Sequence, residues 1–244
     1  MSHSIITRRV LMAGAAAAAC SACARAESPA PAAPPAPVVA APPAPPEPPT
    51  YADRLSAMGL NWAPPAVGKA VLVNVPSFDV IAFEDGEPVL TSRAIVGAPR
   101  TPSPIGEVRS GVVRFRPTWR PTPRMVREGL YEDGVRPPGP GNPLGLAAIR
   151  FDEGGTIYLH GTNKPKLFER ERRALSSGCV RVERIAELSA FVLAWEHDEV
   201  LAAMQGRRSF DAPTPGLPIV FTYATRFALP GAEEREWPDV YGRA

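Results

Sequence analysis

Alternating apolar and polar positions predict β-strands along most of the chain beyond residue 66. The runs are short, rich in β-branched and aromatic residues, and bounded by turn residues, which is typical of strands. Asp85-Gly86 lies between two of them and indicates a hairpin. The predicted strands are Val71–Val75, Phe78–Glu84, Pro88–Val96, Gly111–Phe115, Thr156–Leu159 and Pro218–Phe227. The fold is therefore predicted to be mainly β.

A helical period replaces this alternation in three segments. Tyr51–Met58 predicts a short lead-in helix that stops at Gly59. Asp198 is a candidate N-cap for a helix that ends at Gly206. Just before it, apolar residues recur near a period of 3.6 at Ile185, Leu188, Val192 and Trp195. A few helices should therefore flank the strands.

The first 26 residues have the features of an export signal. Thr7-Arg8-Arg9-Val10-Leu11-Met12 is similar to a twin-arginine motif, and the apolar stretch that follows is too short for an ordinary spanning helix. Ala24-Arg25-Ala26 is a candidate cleavage site. Lipidation is the rival interpretation, with Cys20 or Cys23 as the residue that would anchor the chain to a membrane. Both predict a protein of the periplasm or cell envelope.

Residues 27–50 form a linker of proline and alanine. Eleven of the residues from Pro29 to Pro49 are proline, so the segment has few amide donors and little apolar surface to bury. We expect an extended polyproline II spacer of roughly 60–70 Å; a plain disordered tail is the alternative. The remaining residues, 51–244, suffice for one sizeable core.

Charge and residue counts narrow the chemistry. A net charge of +2 is nearly balanced and gives no argument for a nucleic-acid partner. Cys179 is the only cysteine beyond residue 23, and His160, one of 3 histidines, lies 19 residues before it. A thiol and an imidazole within hydrogen-bond reach can form a thiolate–imidazolium pair for nucleophilic catalysis. The two lack the further ligands that a zinc site needs, so no metal or other cofactor is expected.

The residues around this pair suit acyl chemistry. The carbonyl of Gly161 can hold the second ring nitrogen of His160. Gly178 follows a serine turn and can aim backbone N–H groups at a developing oxyanion. Arg181 presents a planar fork of donors to a substrate carboxylate, with a structural salt bridge as the alternative.

His160-Gly161 followed by Ser176-Ser177-Gly178-Cys179-Val180-Arg181 resembles the YkuD-type L,D-transpeptidases of bacterial cell walls, in particular a subgroup with this Ser-Ser-Gly-Cys-Val-Arg motif. The resemblance covers roughly residues 68–244. It includes Leu217–Tyr223 and the tail Asp239-Val240-Tyr241-Gly242-Arg243. It implies a sandwich-like catalytic domain with a core of about residues 68–226 and a few flanking helices.

The resemblance also implies an activity on peptidoglycan stem peptides. Cys179 would attack the amide before the terminal D-alanine of a donor stem tetrapeptide, with His160 as the base, and the thioester would pass to an acceptor amine in a 3→3 cross-link. Many relatives carry histidine where this chain has Ser177, which leaves His160 as the base. The residues expected near the substrate are Trp119, Tyr158, Ser176, Ser177 and Arg181.

Three alternatives remain open at this point. The thioester could meet water, which would make the protein an L,D-carboxypeptidase or a cross-link-cleaving peptidase. It could instead pass to a protein that becomes attached to the wall. The chain could also be an inactive wall-binding module, although an intact His160 and Cys179 argue against this. The loop 127–146 is expected either to cap the site or to have no role, and His197 to be structural or exposed.

Overall fold

Two long strands connect the two β-layers of this protein. The computed structural model describes residues 49–243. The predicted export signal, Cys20, Cys23 and nearly all of the linker lie outside the described residues. Residues 49–243 all belong to one compact unit. Among residues 49–243, no helix is long and apolar enough to span a membrane.

Twelve strands and four α-helices make up the described part of the chain. The strands are β1 (Lys69–Asn74), β2 (Asp79–Glu84), β3 (Glu87–Gly97), β4 (Gly106–Phe115), β5 (Ala147–Phe151), β6 (Leu159–His160), β7 (Ala174–Ser176), β8 (Val180–Val182), β9 (Phe210–Pro213), β10 (Pro218–Thr222), β11 (Arg226–Phe227) and β12 (Arg235–Glu236). The helices are α1 (Tyr51–Ala57), α2 (Pro123–Arg127), α3 (Ile185–Leu193) and α4 (His197–Gln205), with a 3-10 helix at Pro165–Glu169.

The strand order runs β10-β1-β2-β3-β8-β6-β5-β4-β9, and β10 also pairs with β4. β3 pairs with β2 over its first part and with β8 at Ala94 and Ile95. β4 likewise pairs with β10 at its start and with β5 from Ser110 onward. The layers are thus continuous through β3 and β4. Strand residues outnumber helical ones, 31% to 18%, which confirms the mainly β, sandwich-like expectation.

The core lies between the two layers and under the helices. β1 is buried on both faces: Val71 and Val73 point into the main core, whereas Leu72 packs with Leu55 of α1 in a second cluster. This explains why the middle of β1, residues 70–73, is continuously apolar rather than alternating. The lead-in helix is confirmed, and Thr50 caps it reciprocally with Asp53.

Several predicted boundaries are wrong for local reasons. β6 begins at Leu159 and not at Thr156 as predicted. Gly154 and Gly155 both have positive φ, so the chain is still turning just before this strand. The last apolar run ends as β10 at Thr222, and a separate two-stranded sheet of β11 and β12 follows.

Helix α4 is capped by Glu196 rather than by the predicted Asp198. Glu196 and Glu199 form a reciprocal capping box, and Asp198 lies in the first turn of α4. Sequence patterns also missed the strands β5, β7, β8, β9 and β12 and the short helix α2. β9 (Phe-Asp-Ala-Pro) has little alternation to detect, and it is a strand because it pairs with β4 over Val112–Phe115.

Candidate active site

Parallel pairing of β6 and β8 brings together the two predicted catalytic residues. Leu159 lies opposite Val180, and both side chains are fully buried in the core. Since successive side chains of a strand alternate between faces, His160 and Cys179 lie on the opposite face. The fold thereby brings together residues that are 19 positions apart in the sequence.

This face forms the floor of a pocket of about 460 Å³. All of the side chains predicted to act in catalysis or to contact the substrate line it, and no aspartate or glutamate does. The pocket also takes residues from α2 and the loop 127–146, which the sequence left undecided. The lining residues are Trp119, Thr122, Pro123, Arg124, Met125, Arg127, Tyr131, Pro143, Leu144, Thr156, Tyr158, His160, Ser176, Ser177, Cys179 and Arg181.

His160 is buried, and the backbone fixes its ring. Nδ1 is 2.6 Å from the carbonyl oxygen of Gly161, the contact expected from the sequence. Because a carbonyl only accepts, Nδ1 carries the proton and Nε2 is the basic nitrogen. Burial, reinforced by the charge of Arg181, lowers the pKa of His160 to about 4, although the carbonyls of Gly161 and Leu144 oppose the shift. The imidazole is therefore neutral at neutral pH.

The end of the loop 127–146 packs against the segment that follows His160. Asn142 is fully buried; its side chain donates to the Pro117 carbonyl at 2.7 Å and accepts the Leu144 N–H at 2.9 Å. Gly145 has a φ of +71°, and a Cβ there would lie 2.7 Å from the backbone nitrogen of Thr162. Only glycine fits this approach. The loop thus forms a wall of the pocket.

Cys179 is a free, partly buried thiol. It donates to the carbonyl of Thr156 at 3.3 Å, and the backbone N–H of Tyr158 also lies in reach of its sulfur. Burial raises the pKa of Cys179, while the Tyr158 backbone and the charge of Arg181 oppose this. The resting site therefore holds a neutral thiol beside a neutral imidazole. Burial favours these neutral forms over the thiolate–imidazolium pair considered from the sequence, because desolvation disfavours both charges.

The serine turn before Cys179 is held by its own side chains. The N–H of Gly178 donates to the hydroxyl of Ser176 at 3.2 Å, and that hydroxyl donates to the carbonyl of Cys179. Ser176 therefore braces the turn at the pocket wall, and the Gly178 N–H is already used. Within the described chain, the N–H of Cys179 has no hydrogen-bond partner. This N–H remains available to an oxyanion.

The other side chains predicted to contact the substrate differ in whether their polar atoms already have hydrogen-bond partners. The hydroxyl of Tyr158 donates to the carbonyl of Gly155 at 3.0 Å, so its ring face is what it offers the pocket. Trp119 packs edge-on against Tyr131, with ring centroids 4.8 Å apart. Ser177 is exposed at the pocket wall. The pocket thus combines aromatic walls with a polar floor.

Arg181 is a cation without a counter-ion on that floor. Its Nε is buried without a hydrogen bond, and its guanidinium forms no ion pair within residues 49–243. The structural salt bridge considered from the sequence is therefore wrong for this part of the chain. A partly buried guanidinium with unused donors favours an anionic ligand.

The C-terminal tail holds the nucleophile turn through a chain of buried hydrogen bonds. Ser103 accepts the N–H of Gly97 at 2.9 Å and donates to the Gly178 carbonyl at 2.8 Å. The Tyr241 hydroxyl accepts the Ser103 N–H at 3.1 Å and donates to the Gly97 carbonyl at 2.8 Å. Tyr241 therefore fixes the position of Ser103, which in turn holds Gly178, the residue before Cys179.

Tyr241→Phe should lower the turnover of the acylation step by about tenfold and leave the donor KM unchanged, because small misplacements of a nucleophile are costly. Tyr51→Phe is the matched control: its hydroxyl also donates to a backbone carbonyl, that of Ala228, but far from the turn. Steady-state rates and Tm are measured for both. Equal losses of rate in the two variants would reduce Tyr241 to a stability role.

His197 lies apart from this site. His197 begins α4, is exposed, and lines a different surface cavity with Lys69 and Trp195. In the described part of the chain, no group of three or more histidine, cysteine, aspartate or glutamate residues is placed to hold a metal ion. His160 is thus the histidine of the pocket.

Comparison with known proteins identifies the family of the chain. The YkuD family profile, described as the L,D-transpeptidase catalytic domain, matches residues 68–218. The chain therefore belongs to the YkuD family, a peptidoglycan-related group of acyltransferase-type enzymes.

Two curated relatives carry L,D-transpeptidase names. One, from Haemophilus influenzae, is 25% identical in an alignment 220 residues long that covers 73% of this chain and 45% of the relative. The Escherichia coli protein YcfS is 32% identical in an alignment 129 residues long that covers 49% of this chain and 39% of that protein. The chain thus spans less than half the length of these relatives.

Solved L,D-transpeptidases show distant similarity to the chain. The Mycobacterium smegmatis enzyme has a TM-score of 0.41 at 15% identity, over 63% of this chain and 58% of that chain. L,D-transpeptidase 3 of Mycobacterium tuberculosis has a TM-score of 0.41 at 14% identity, over 64% and 61% of the two chains.

Proposed function

We propose that this protein is a peptidoglycan L,D-transpeptidase that forms 3→3 cross-links. The observation that carries the proposal is the convergence of three groups in one pocket. They are the Cys179 thiol, the His160 ring with Nδ1 bound to a carbonyl, and the unpaired guanidinium of Arg181. Together they supply a nucleophile, a base and a site for an anionic substrate.

Acylation begins with a neutral pair. As Cys179 attacks the carbonyl between the third residue of the donor stem and its terminal D-alanine, Nε2 of His160 takes the thiol proton. The unpaired N–H of Cys179 donates to the oxyanion. The tetrahedral intermediate collapses when the C–N bond breaks and His160 returns the proton to the leaving amine of D-alanine. General acid–base help of this kind contributes about 10²–10⁴ in rate.

Transfer repeats the same proton path. The acceptor amine attacks the thioester carbonyl, its proton passes to Nε2 of His160, and the C–S bond breaks. The proton then returns to the sulfur of Cys179, which restores the resting thiol. During both steps Arg181 holds a carboxylate of the donor through its planar fork of donors.

The same proposal assigns the protein to the cell envelope. A peptidoglycan substrate requires export, and residues 1–26 carry the features of an export signal. Anchoring through Cys20 or Cys23, or release after Ala26, decides whether the linker tethers the domain to a membrane. A linker of proline and alanine suits a spacer between a membrane and a wall-directed domain.

The test is mass spectrometry of muropeptides incubated with the full exported chain beside Cys179→Ala. We expect dimers joined between two third residues, and a protein mass increased by the donor less D-alanine, only with intact Cys179. Loss of D-alanine without dimers would move the assignment to a hydrolase. Transfer to an added wall protein would identify a protein-attaching enzyme. No adduct and no product would contradict the proposal in favour of a binding module.

A further inference from the structure

A second cavity of about 240 Å³ lies directly beside the active-site pocket. The two share Leu144 and Tyr158 as common walls. Like the main pocket, it has no aspartate or glutamate in its lining. Its lining residues are Arg114, Pro117, Thr118, Leu144, Ala148, Arg150 and Tyr158.

The strand register explains why a cavity exists at this position. Ala148 of β5 lies opposite Arg114 of β4 on one side and opposite His160 of β6 on the other. These three residues form one row across the sheet, and the small side chain of Ala148 leaves the middle of the row empty. With strands about 4.8 Å apart, the backbone of Arg114 is about 10 Å from that of His160. A ligand in the cavity therefore lies within reach of the base.

The cavity carries a net positive charge because of Arg150. Arg114 is paired with Asp211 at 2.5 Å, so its charge is offset. Arg150 has no ion pair or hydrogen bond in the described chain, and its guanidinium carbon lies 5.4 Å from the ring centroid of Tyr158. Stacking on an aromatic ring orients a guanidinium while leaving its edge free for a planar anion. The cavity is thus built to receive a carboxylate.

We propose that this cavity is the acceptor subsite, where Arg150 binds the carboxylate of the amino acid whose amine attacks the thioester. The inference rests on the proposed function, which needs an amine acceptor. In a diamino dicarboxylic acid, the free side-chain amine that attacks and a carboxylate share one carbon atom. Holding that carboxylate beside Tyr158 therefore directs the amine toward Cys179 and His160. The donor occupies the main pocket, so the two chains approach from different sides of Tyr158.

The proposal separates the two chemical steps. The thioester forms before the acceptor is needed, so loss of Arg150 should leave acylation intact. Without a bound acceptor the thioester meets water: a water oxygen attacks the carbonyl, the C–S bond breaks, and the proton returns to Cys179 through His160. Arg150 therefore sets the ratio of transfer to hydrolysis.

Arg150→Gln tests this on the full chain, with a donor tetrapeptide and an excess of acceptor. Release of D-alanine without acceptor should stay within about twofold of the unmodified protein. The ratio of dimer to hydrolysed product should fall about tenfold or more, as expected for the loss of a charge-assisted contact. Arg150→Lys should recover part of the ratio. Arg235→Gln, which removes an arginine stacked on Trp237 away from both cavities, should change neither quantity.

An acceptor whose carboxylate is converted to a carboxamide gives a second readout. The unmodified protein should prefer the carboxylate by about tenfold, and Arg150→Gln should lose that preference. A matching fall in D-alanine release in Arg150→Gln would place the donor in this cavity and overturn the proposal, as would an undiminished preference for the carboxylate. Absence of any D-alanine release from the unmodified protein would instead contradict the proposed function, and the acceptor subsite with it.

Discussion

His160→Gln is expected to lower the rate of donor acylation by about 10²–10⁴-fold while the protein remains folded. Glutamine cannot accept the thiol proton, and Cys179 has no other base in the pocket. Its thiol donates to the carbonyl of Thr156, which cannot take up the proton. Release of D-alanine under single-turnover conditions measures the rate, and Tm reports folding.

The pH dependence of the unmodified protein provides an independent check on this base. His160 acts in its neutral form, and burial lowers its pKa to about 4. The acylation rate should therefore hold steady as the pH falls from 7 to 5 and decline only as it passes through about 4. An acid limb near the ordinary histidine value of about 6.5 would contradict a buried neutral base.

The matched control is His197→Gln, which replaces an exposed histidine at the start of α4. We expect its acylation rate to equal that of the unmodified protein. Comparable losses in the two histidine variants would indicate a general effect of the substitution. A His160→Gln protein that keeps more than a tenth of the original rate would remove His160 from the role of base.

The catalytic pair was predictable because its residue types are scarce. Cys179 is the only cysteine after residue 23, and a turn signal precedes it. Sequence could not show that β6 and β8 pair in parallel, because strand register depends on contacts between distant segments. It also could not show that both groups rest in neutral form, since burial sets the pKa values and burial is a property of the whole fold.

The hardest side chains to assign from the sequence were those whose role depends on a specific hydrogen bond or on a neighbouring cavity in the folded protein. Ser176 belongs to the motif, and the hydrogen bonds by which its hydroxyl braces the turn are not visible in the sequence. Tyr241 belongs to the recognised tail, and its connection to Gly178 through Ser103 becomes visible only in three dimensions. Arg150 had no local signal: its importance comes from an alanine two residues before it that leaves a cavity across the sheet.

Arg181→Gln is expected to raise the donor KM by about 10–100-fold, because a charge-assisted contact of about 1.5–3 kcal/mol is lost. Tm should be unchanged or higher, since the variant removes a partly buried cation that has no counter-ion in the described chain. Substrate saturation curves for D-alanine release and thermal unfolding measure the two effects.

Arg181→Gln should also raise the pKa values of both His160 and Cys179. The charge of Arg181 acts with burial to lower the pKa of His160, and it opposes the burial that raises the pKa of Cys179. Its removal therefore raises both pKa values. The acid limb of acylation shifts upward from about 4, so the variant loses additional rate between pH 4 and 6. Modification of Cys179 by a thiol reagent likewise requires a higher pH.

Arg181→Lys distinguishes the binding of the donor carboxylate by the guanidinium from the effect of the positive charge on the pKa of His160. Lysine keeps the positive charge but lacks the planar fork, so the donor KM should rise while the acid limb stays near its original position. If both variants shift the limb equally, the pKa of His160 responds to packing rather than to charge. If neither raises the donor KM, the donor carboxylate is bound elsewhere. Arg124 and Arg127 of α2, which line the same pocket, would then be the residues to replace.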